Sequence, residues 1–304
     1  MATETVTVTY TRGGVTFTGT TTVADAGFPV AGVFGGPSNT GPTAGGFPTP
    51  TVAYTGPMRI QTAGTVISNK IIPAGMVVTA DNVTIQGCII EGPTDVNSDQ
   101  AALEIDGSGA KIVYNIIRGK SATTWQNNDP ISGVKLYGDN NTFSYNNCYY
   151  FAGDGITIDG ENFRGIGNWV HDFVLRSGGV HYDGFHYPKP TKVKTKPALI
   201  QDNRVEMWIP VGVSDSGMTT ALGIPEETGS GALFVVNHNL IAGGGYAIEG
   251  GHAGATISNN LFWTKFSPNC GYYGVSSSSF SSGAKFSGNS YTADGVTASS
   301  PYTP

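Results

Sequence analysis

The chain has 304 residues, of which 39% are hydrophobic and 11% aromatic, which is enough apolar side chain to bury a core. Charged residues make up only 12%, while Gly, Thr, Ser and Asn are abundant, and this balance predicts an all-β protein. The net charge of −6 argues against nucleic acid as the main partner, and no apolar run of 18 residues is present to span a membrane.

The first 56 residues follow a different pattern from the rest of the chain. The runs "TVTVTY" and "VTFTGTTTV" flank "TRGG" as a predicted hairpin, and a Gly/Pro-rich, aperiodic stretch follows. We interpret residues 1–56 as a hairpin and attachment arm. No basic segment followed by an apolar one opens the chain, so we expect a secretory signal to be absent or removed. Cys88, Cys148 and Cys270 are odd in number and far apart, which fits a reducing cytoplasm better than a disulfide framework.

A repeat runs through residues 57–304. Short apolar runs such as "IVYN", "IQDN", "VNHN" and "ISNN" recur, and each ends on Asn, or on Cys in the first copy. The repeated positions are Cys88, Asn115, Asn147, Asn168, Asn203, Asn239, Asn260 and Asn289, with a shortest step of 21 residues. A unit this short cannot bury its own apolar face and must stack on its neighbours, so the pattern predicts a β-solenoid. Leucine-rich repeats have a similar period but need a Leu frame, and Leu is scarce here.

Stacking of the coils also predicts which side chains are buried. The apolar residues three places before the repeated Asn should form one internal column: Ile85, Ile112, Ile200, Val236, Ile257 and Phe286. The asparagines themselves should hold a corner of each coil, because Asn tolerates the left-handed conformation and its side chain bonds to the next copy.

A second strand precedes the Asn in five coils, at "LEIDG", "VKLYG", "ITIDG", "VHYDG" and "YAIEG". Strict alternation points their fourth residues outward in one column: Asp106, Tyr137, Asp159, Asp183 and Glu249. Asp159 and Asp183 would then lie side by side with His181 close by, a candidate catalytic set that suits a retaining glycosidase. The alternative is that Asp-Gly only ends each strand as a turn.

Two long insertions, at about 174–198 and 208–231, leave neighbouring coils next to this motif, and insertions are where solenoids commonly carry function. The first is rich in lysine, so it could hold an anionic sugar chain or be a solvated extended strand. Our candidate substrate-binding residues are His186, Tyr182, Tyr187, Lys192, Lys194 and Glu249, and Trp169 and Trp208 are further candidates for stacking on sugars. His181, Asp183 and His186 make a poor metal site because His186 would have to bend back, so we expect no metal and no cofactor.

Longer motifs resemble a known family. The runs "SNTGPTAG", "YTGPMRIQTAGTVISNKII", "HYDGFH", "NLIAGGGYAIEGG" and "NCGYYG" together resemble the right-handed parallel β-helix proteins of actinobacteria and their phages, within the broad pectin-lyase-like group. The resemblance covers roughly residues 35–297. Relatives often carry Cys where Met58 stands and Gln where His186 stands. The resemblance implies a right-handed parallel β-helix, here with about eight coils, and a minor tail or tail-spike protein of a phage.

These expectations leave three functions open. The first is a phage tail protein that recognises a carbohydrate of the host envelope, joins other tail proteins through its arm and forms a homo-oligomer, with a trimer favoured. The second is a polysaccharide-degrading glycosidase or lyase that uses Asp159, Asp183 and His181. The third is a purely structural virion component. We expect the protein in the virion tail after synthesis in the host cytoplasm, with secretion as the alternative.

Overall fold

A computed structural model describes residues 3–12, 15–24, 32–73, 75–92, 101–120, 132–174, 181–188, 194–208, 218–224, 234–249, 255–276 and 284–304. The chain divides into two compact units, Met1–Ala31 and Gly32–Pro304. In the first unit, strands β1 (Thr3–Arg12) and β2 (Val15–Ala24) pair antiparallel from Thr3 opposite Ala24 to Arg12 opposite Val15. The hairpin expected from the sequence is therefore formed.

The second unit consists almost entirely of short strands. In chain order they are β3 (Arg59–Ile60), β4 (Val66–Ser68), β5 (Ile71–Ile72), β6 (Met76–Val78), β7 (Thr84–Gln86), β8 (Ile89–Glu91), β9 (Ala101–Ile105), β10 (Lys111–Val113), β11 (Ile116–Arg118), β12 (Ser132–Leu136), β13 (Thr142–Ser144), β14 (Asn147–Tyr149), β15 (Ile156–Ile158), β16 (Arg164–Ile166), β17 (Trp169–His171), β18 (Asp183–His186), β19 (Ala198–Gln201), β20 (Arg204–Met207), β21 (Thr220–Gly223), β22 (Phe234–Asn237), β23 (Leu240–Gly243), β24 (Tyr246–Glu249), β25 (Ala255–Ser258), β26 (Leu261–Trp263), β27 (Gly274–Ser276), β28 (Lys285–Ser287), β29 (Ser290–Thr292) and β30 (Ser300–Pro301).

Every third strand returns to the same sheet, so three sheets run along the molecule. The first sheet runs from β3 to β27 and the second from β4 to β28, each with nine strands, and the third runs from β5 to β30 with ten. All neighbouring strands pair parallel except the last pair, β29 with β30. The right-handed parallel β-helix expected for this chain is confirmed, with nine described strands in the first sheet rather than about eight coils.

The core is a set of stacked apolar columns inside the three sheets. In the second sheet, β7, β10, β19, β22, β25 and β28 place the predicted residues in register. Five of them are buried core residues, namely Ile85, Ile112, Ile200, Val236 and Ile257, and the partly buried Phe286 packs against them at the end of the column. The column also contains Phe143 and Gly165, and the rings of Phe163 and Phe185 lie over the space that Gly165 leaves. The predicted buried column is therefore confirmed.

The Asn ladder is present with one correction. It passes through Asn146 rather than Asn147, which lies at the start of β14 and accepts from His171 through its side chain. From Asn146 to Asn289, each ladder Asn accepts two N–H groups of the Asn one coil earlier and donates to a backbone carbonyl of that same earlier coil; Asn203, for example, accepts from Asn168 and donates to Gly165. The ladder closes the turn between the second and third sheets, where backbone groups would otherwise be buried without partners.

Residues 32–56 belong to the second unit and lie along its surface. A turn of 3-10 helix, Pro42–Gly45, follows Gly41, whose N–H donates to Tyr145 O at 2.9 Å. The Phe34 ring stacks on His238 at 4.6 Å, and Gly35 donates to Asp202 O. This part of the predicted arm is thus fixed to the β-helix. Among the described residues, no helix is long and apolar enough to cross a membrane.

Candidate active site

The motif "HYDGFH" lies on the first sheet in a register different from the one expected. Strand β18 pairs with β15 so that Phe185 lies opposite Ile156 and His186 opposite Thr157. Counting back two residues places Asp183 opposite Asp154 and not opposite Asp159, which lies beyond the far end of β15. The predicted juxtaposition of Asp159 with Asp183 is therefore wrong, because "FAGDGITIDG" contains two Asp-Gly pairs and the fold uses the first.

The first-sheet strands also depart from strict alternation. In β24, Ala247 and Ile248 are both completely buried between the half-buried Tyr246 and Glu249. The residue that precedes the main core position is small in successive coils: Ala102, Gly133, Gly155, Gly184, Ala221 and Ala247. A Cβ at Gly184 would lie 2.5 Å from Val205 Cγ1 and 2.6 Å from Ala221 O, so this column has no room for a larger side chain. Each strand thus presents two side chains outward: the one directly before the small residue and the one three residues after that.

Asp154, Asp183 and His186 meet on the outside of the first sheet. One carboxylate oxygen of each aspartate and one ring nitrogen of His186 all lie within 4.8 Å of one another. His186 Nδ1 is 2.9 Å from Asp154 Oδ2, and the backbone N–H of Asp183 donates to Asp154 Oδ1 at 3.2 Å. The N–H of Thr220 donates to Asp183 Oδ1 at 3.1 Å. We call these three side chains the acid cluster.

Two groups of the cluster, Asp183 and His186, have pKa values that are raised above their ordinary values. Burial, followed by repulsion from Asp154, raises the pKa of Asp183 to about 7; His186 opposes this shift, Glu249 adds a smaller repulsion, and the Thr220 N–H has the smallest opposing effect. Burial disfavours the charged imidazole of His186, but its hydrogen bond to Asp154 and the charge of Asp183 outweigh burial and raise the pKa. Near neutral pH the cluster therefore holds a protonated or titrating carboxyl beside a second carboxyl.

A position without a side chain lies beside Asp183, which is only 4% exposed. In the next coil, Gly223 lies opposite His186, and Glu249 follows opposite Gly223. Asp183 Oδ2 is 3.5 Å from the place that a Cβ at Gly223 would occupy, and Thr220 Cγ2 is 3.3 Å from it. No side chain at position 223 therefore covers the Asp183 oxygen.

Several other predicted site residues lie elsewhere. Asp159 forms an ion pair with Lys194, Nζ to Oδ1 at 3.1 Å, and the Lys194 side chain is only 1% exposed. Tyr182 and Tyr187 are core residues whose hydroxyls donate to the carbonyls of Val174 and Gly160. Lys194 and these two tyrosines therefore stabilise the coil stack and do not form the sugar-binding surface that the sequence suggested.

The remaining candidates divide between the surface and the part of the chain outside the description. His181 is exposed, two residues before Asp183, and does not belong to the acid cluster. His186 and Glu249 are half-buried and flank Gly223. Lys192 lies outside the described residues, as do most of the two insertions.

Sequence reasoning missed Asp154 and Thr220. The signal that identifies Asp154 is the match of "DGIT" at residues 154–157 with "DGFH" at residues 183–186, continued as "TALG" and "YAIE" in the next two coils. In each of these tetrapeptides a small residue precedes the apolar one.

The acid cluster could also hold a divalent cation. Two carboxylates and one imidazole are ligands that transition metals accept, and the three residues are close enough to share one ion. The same atoms also form the hydrogen bonds that orient the cluster, so a cation would have to replace the bond between His186 and Asp154.

Comparisons with known proteins do not assign the chain to a family. No family model matches it, and neither a curated protein nor a solved structure matches it.

Proposed function

We propose that this protein hydrolyses glycosidic bonds of a polysaccharide at the acid cluster. The observation that carries the proposal is the contact of two carboxyls, Asp154 and Asp183, together with the burial that raises the pKa of Asp183 to about 7. A carboxyl that holds a proton near neutral pH can act as the acid beside a second carboxyl in one site. The long outer face of a β-helix is a surface on which an extended chain can lie across several coils.

The chemistry follows from the positions of the two groups. Asp183 donates its proton to the glycosidic oxygen as the bond from that oxygen to the anomeric carbon breaks, and an Asp154 oxygen bonds to the same carbon. Water then attacks this carbon, Asp183 takes up the proton, and the bond to Asp154 breaks, which restores both groups. Atoms less than 4.8 Å apart fit the short separation of a retaining mechanism better than the wider one of inversion.

His186 and Thr220 position the two carboxyls. His186 binds Asp154 Oδ2 and the Asp183 N–H binds Oδ1, so the Asp154 carboxylate is held from both oxygens. The Thr220 N–H binds Asp183 Oδ1, which leaves Oδ2, beside Gly223, to carry the proton. Activity should therefore decline as pH rises through about 7 and Asp183 loses its proton.

We further propose that the protein acts at a host cell envelope as a tail-associated component of a phage. The motif resemblance and the parallel β-helix support this setting. The separate hairpin unit, Met1–Ala31, supports an attachment role for the N-terminal end. A protein that binds the envelope polysaccharide without cleaving it is the second candidate function, and the aromatic cleft described below favours it.

The test is incubation of the full chain with arabinogalactan, envelope and capsule fractions, with released reducing ends measured from pH 5 to 9. Wild type should release reducing ends with a decline near pH 7, and Asp154→Asn and Asp183→Asn should each lower the rate at least about 100-fold. The matched control is Asp106→Asn, because Asp106 is an exposed aspartate that also precedes a Gly.

Equal rates in Asp154→Asn and wild type would overturn the proposal, as would wild type that releases nothing from any fraction. Retention of the polysaccharide on the protein without release would instead support recognition. Loss of activity in EDTA and its return with a divalent cation would assign the acid cluster to a metal.

A further inference from the structure

A second concave surface lies at the turn between the third and first sheets. It is a cleft of about 390 Å³ near the C-terminal end of the β-helix, and its walls are mainly Met207, Trp208, Gly243, Gly244, Phe266 and Tyr272. These residues come from three successive coils: the end of β20, the end of β23 and the segment between β26 and β27. The cleft shares no residue with the acid cluster.

The aromatic walls are held in place. The Trp208 and Phe266 rings stack nearly parallel, 5° apart with centroids at 4.8 Å. Gly243 and Gly244 both have positive φ and no side chain, so the floor between the walls is backbone. A Cβ at Gly243 would lie 3.3 Å from Phe266 Cδ2, which shows how closely the ring covers this floor.

Among the described residues that line the cleft, none is charged. Its polar groups are the side chains of Ser267 and Asn269 and the hydroxyl of Tyr272, together with backbone groups. Lys265 is not part of the lining, but its Nζ lies 4.8 Å from the centres of the Trp263 and Phe266 rings, and its charge is paired with Glu206. Flat aromatic faces with a few hydrogen-bonding groups, whose one neighbouring cation is paired, suit an uncharged ring with apolar faces and polar edges.

Aromatic side chains continue from the cleft toward the acid cluster. Tyr272 is 59% exposed and packs edge-on against Tyr273, which is 69% exposed and lies 5.5 Å from Tyr246 between ring centroids. Tyr246 lies opposite Thr220, and Thr220 lies opposite Asp183. At about 4.8 Å per coil, Tyr246 is therefore roughly 10 Å from Asp183 along the sheet.

The floor of the cleft also lies next to Thr220, which binds Asp183. A Cβ at Gly244 would lie 3.3 Å from the Cα of Thr220, and the Thr220 N–H binds Asp183. One extended polymer can thus occupy the cleft with one sugar unit while a nearby bond of the same polymer lies over the acid cluster.

We propose that this cleft binds an uncharged pyranose ring of the polysaccharide, stacked on the aromatic wall that Phe266, Trp208 and Tyr272 form. Binding of the ring depends on the cleft residues alone. That this ring belongs to the same polymer as the bond cleaved at the acid cluster rests on the proposed function. The substrate is then a polysaccharide with neutral sugar units, in contrast to the anionic chain that the lysine-rich insertion suggested.

The test is titration of the full chain with neutral gluco-, manno- and galacto-oligosaccharides and with oligogalacturonate as the anionic probe, followed by tryptophan fluorescence. At least one neutral series should bind with a fluorescence change, and oligogalacturonate should bind more weakly. Tyr272→Ala should raise the Kd about five- to tenfold while leaving Trp208 as the reporter. Tyr137→Ala is the matched control. Tyr137 is another exposed aromatic residue, and it directly follows β12 of the first sheet, away from the cleft.

The outcomes separate the cleft from the proposed hydrolysis. Tighter binding of oligogalacturonate, no binding of any neutral series, or an equal loss of affinity in Tyr137→Ala would overturn the cleft proposal. If binding depends on Tyr272 and no bond is cleaved, the cleft proposal holds and the hydrolysis proposal fails. If bonds are cleaved at the same rate in Tyr272→Ala, the hydrolysis stands and the cleft is not part of the substrate path.

Discussion

Replacement of Asp183 by Asn should stabilise the protein above neutral pH and abolish its activity. Asn keeps the size of the side chain and the oxygen that accepts the Thr220 N–H, but it removes a carboxyl that is 4% exposed and close to Asp154 and Glu249. Ionised Asp183 is unfavourable in this place because burial and two like charges oppose it. A residue retained for folding alone would not show both a gain of stability above neutral pH and a loss of activity when it is replaced.

The magnitude follows from the pKa of Asp183, which rises from 3.8 to about 7 on folding. Between these values the folded protein binds more protons than the unfolded chain, so the free energy of unfolding falls as pH rises through this window. The full effect of such a shift is about 4 kcal/mol, present below pH 4 and lost above pH 7. Asp183→Asn should therefore exceed wild type by up to about 4 kcal/mol at pH 8 and lose this advantage on acidification toward pH 4.

Thermal unfolding of wild type, Asp183→Asn and the control Asp106→Asn, followed by circular dichroism at pH 5, 6, 7 and 8, measures this difference. The advantage of Asp183→Asn in Tm should grow with pH to several degrees, at about 2 to 4 °C per kcal/mol for a domain of this size. A Tm that drops by the same amount at every pH would refute the reasoning and identify Asp183 as a residue that only caps the turn.

Two further predictions concern the scaffold. Ile257→Asp should unfold or aggregate the protein, because an unpaired charge at the fully buried position of Ile257 costs several kcal/mol. Thr256→Asp on the same strand should leave the circular dichroism spectrum unchanged, and a soluble Ile257→Asp variant with native Tm would contradict the buried column. Deletion of residues 1–31 should leave the β-helix with the wild-type spectrum and Tm, because these residues form a unit of their own, and loss of the β signal would show that the division is wrong.

The repeated features of the fold were predictable because each coil meets the same physical requirements. The residue three places before the Asn faces inward and is apolar in all the described coils except that of Gly165, and the Asn must satisfy backbone groups of the coil before it, so both leave a periodic trace. Asn146 shows the limit of this signal. Two asparagines stand next to each other at residues 146 and 147, and only the hydrogen bonds to Asn115 and Asn168 decide between them.

The acid cluster was only half predictable for a related reason. Asp183 and His186 stood out as a motif, but the partner carboxyl was assigned to Asp159 in place of Asp154. Both Asp-Gly pairs of "FAGDGITIDG" have a glycine that the stack requires, since a Cβ at Gly155 would lie 2.6 Å from Gly184 O and one at Gly160 would lie 1.9 Å from Gly138 O. Glycine alone therefore cannot indicate which pair aligns with Asp183.

The amino-acid sequence by itself determined the β-helix, its buried columns and its Asn ladder, because these depend on residue type at a repeated spacing. Tertiary packing decided the register of β18, since the observed register places Phe185 beside Ile156 in the core and packs the Tyr187 ring edge-on against Phe234 at 4.4 Å. The predicted register would have left Phe185 beyond the strand. Burial of these two rings fixes Asp183 beside Asp154, and Gly223 places no side chain over the Asp183 oxygen.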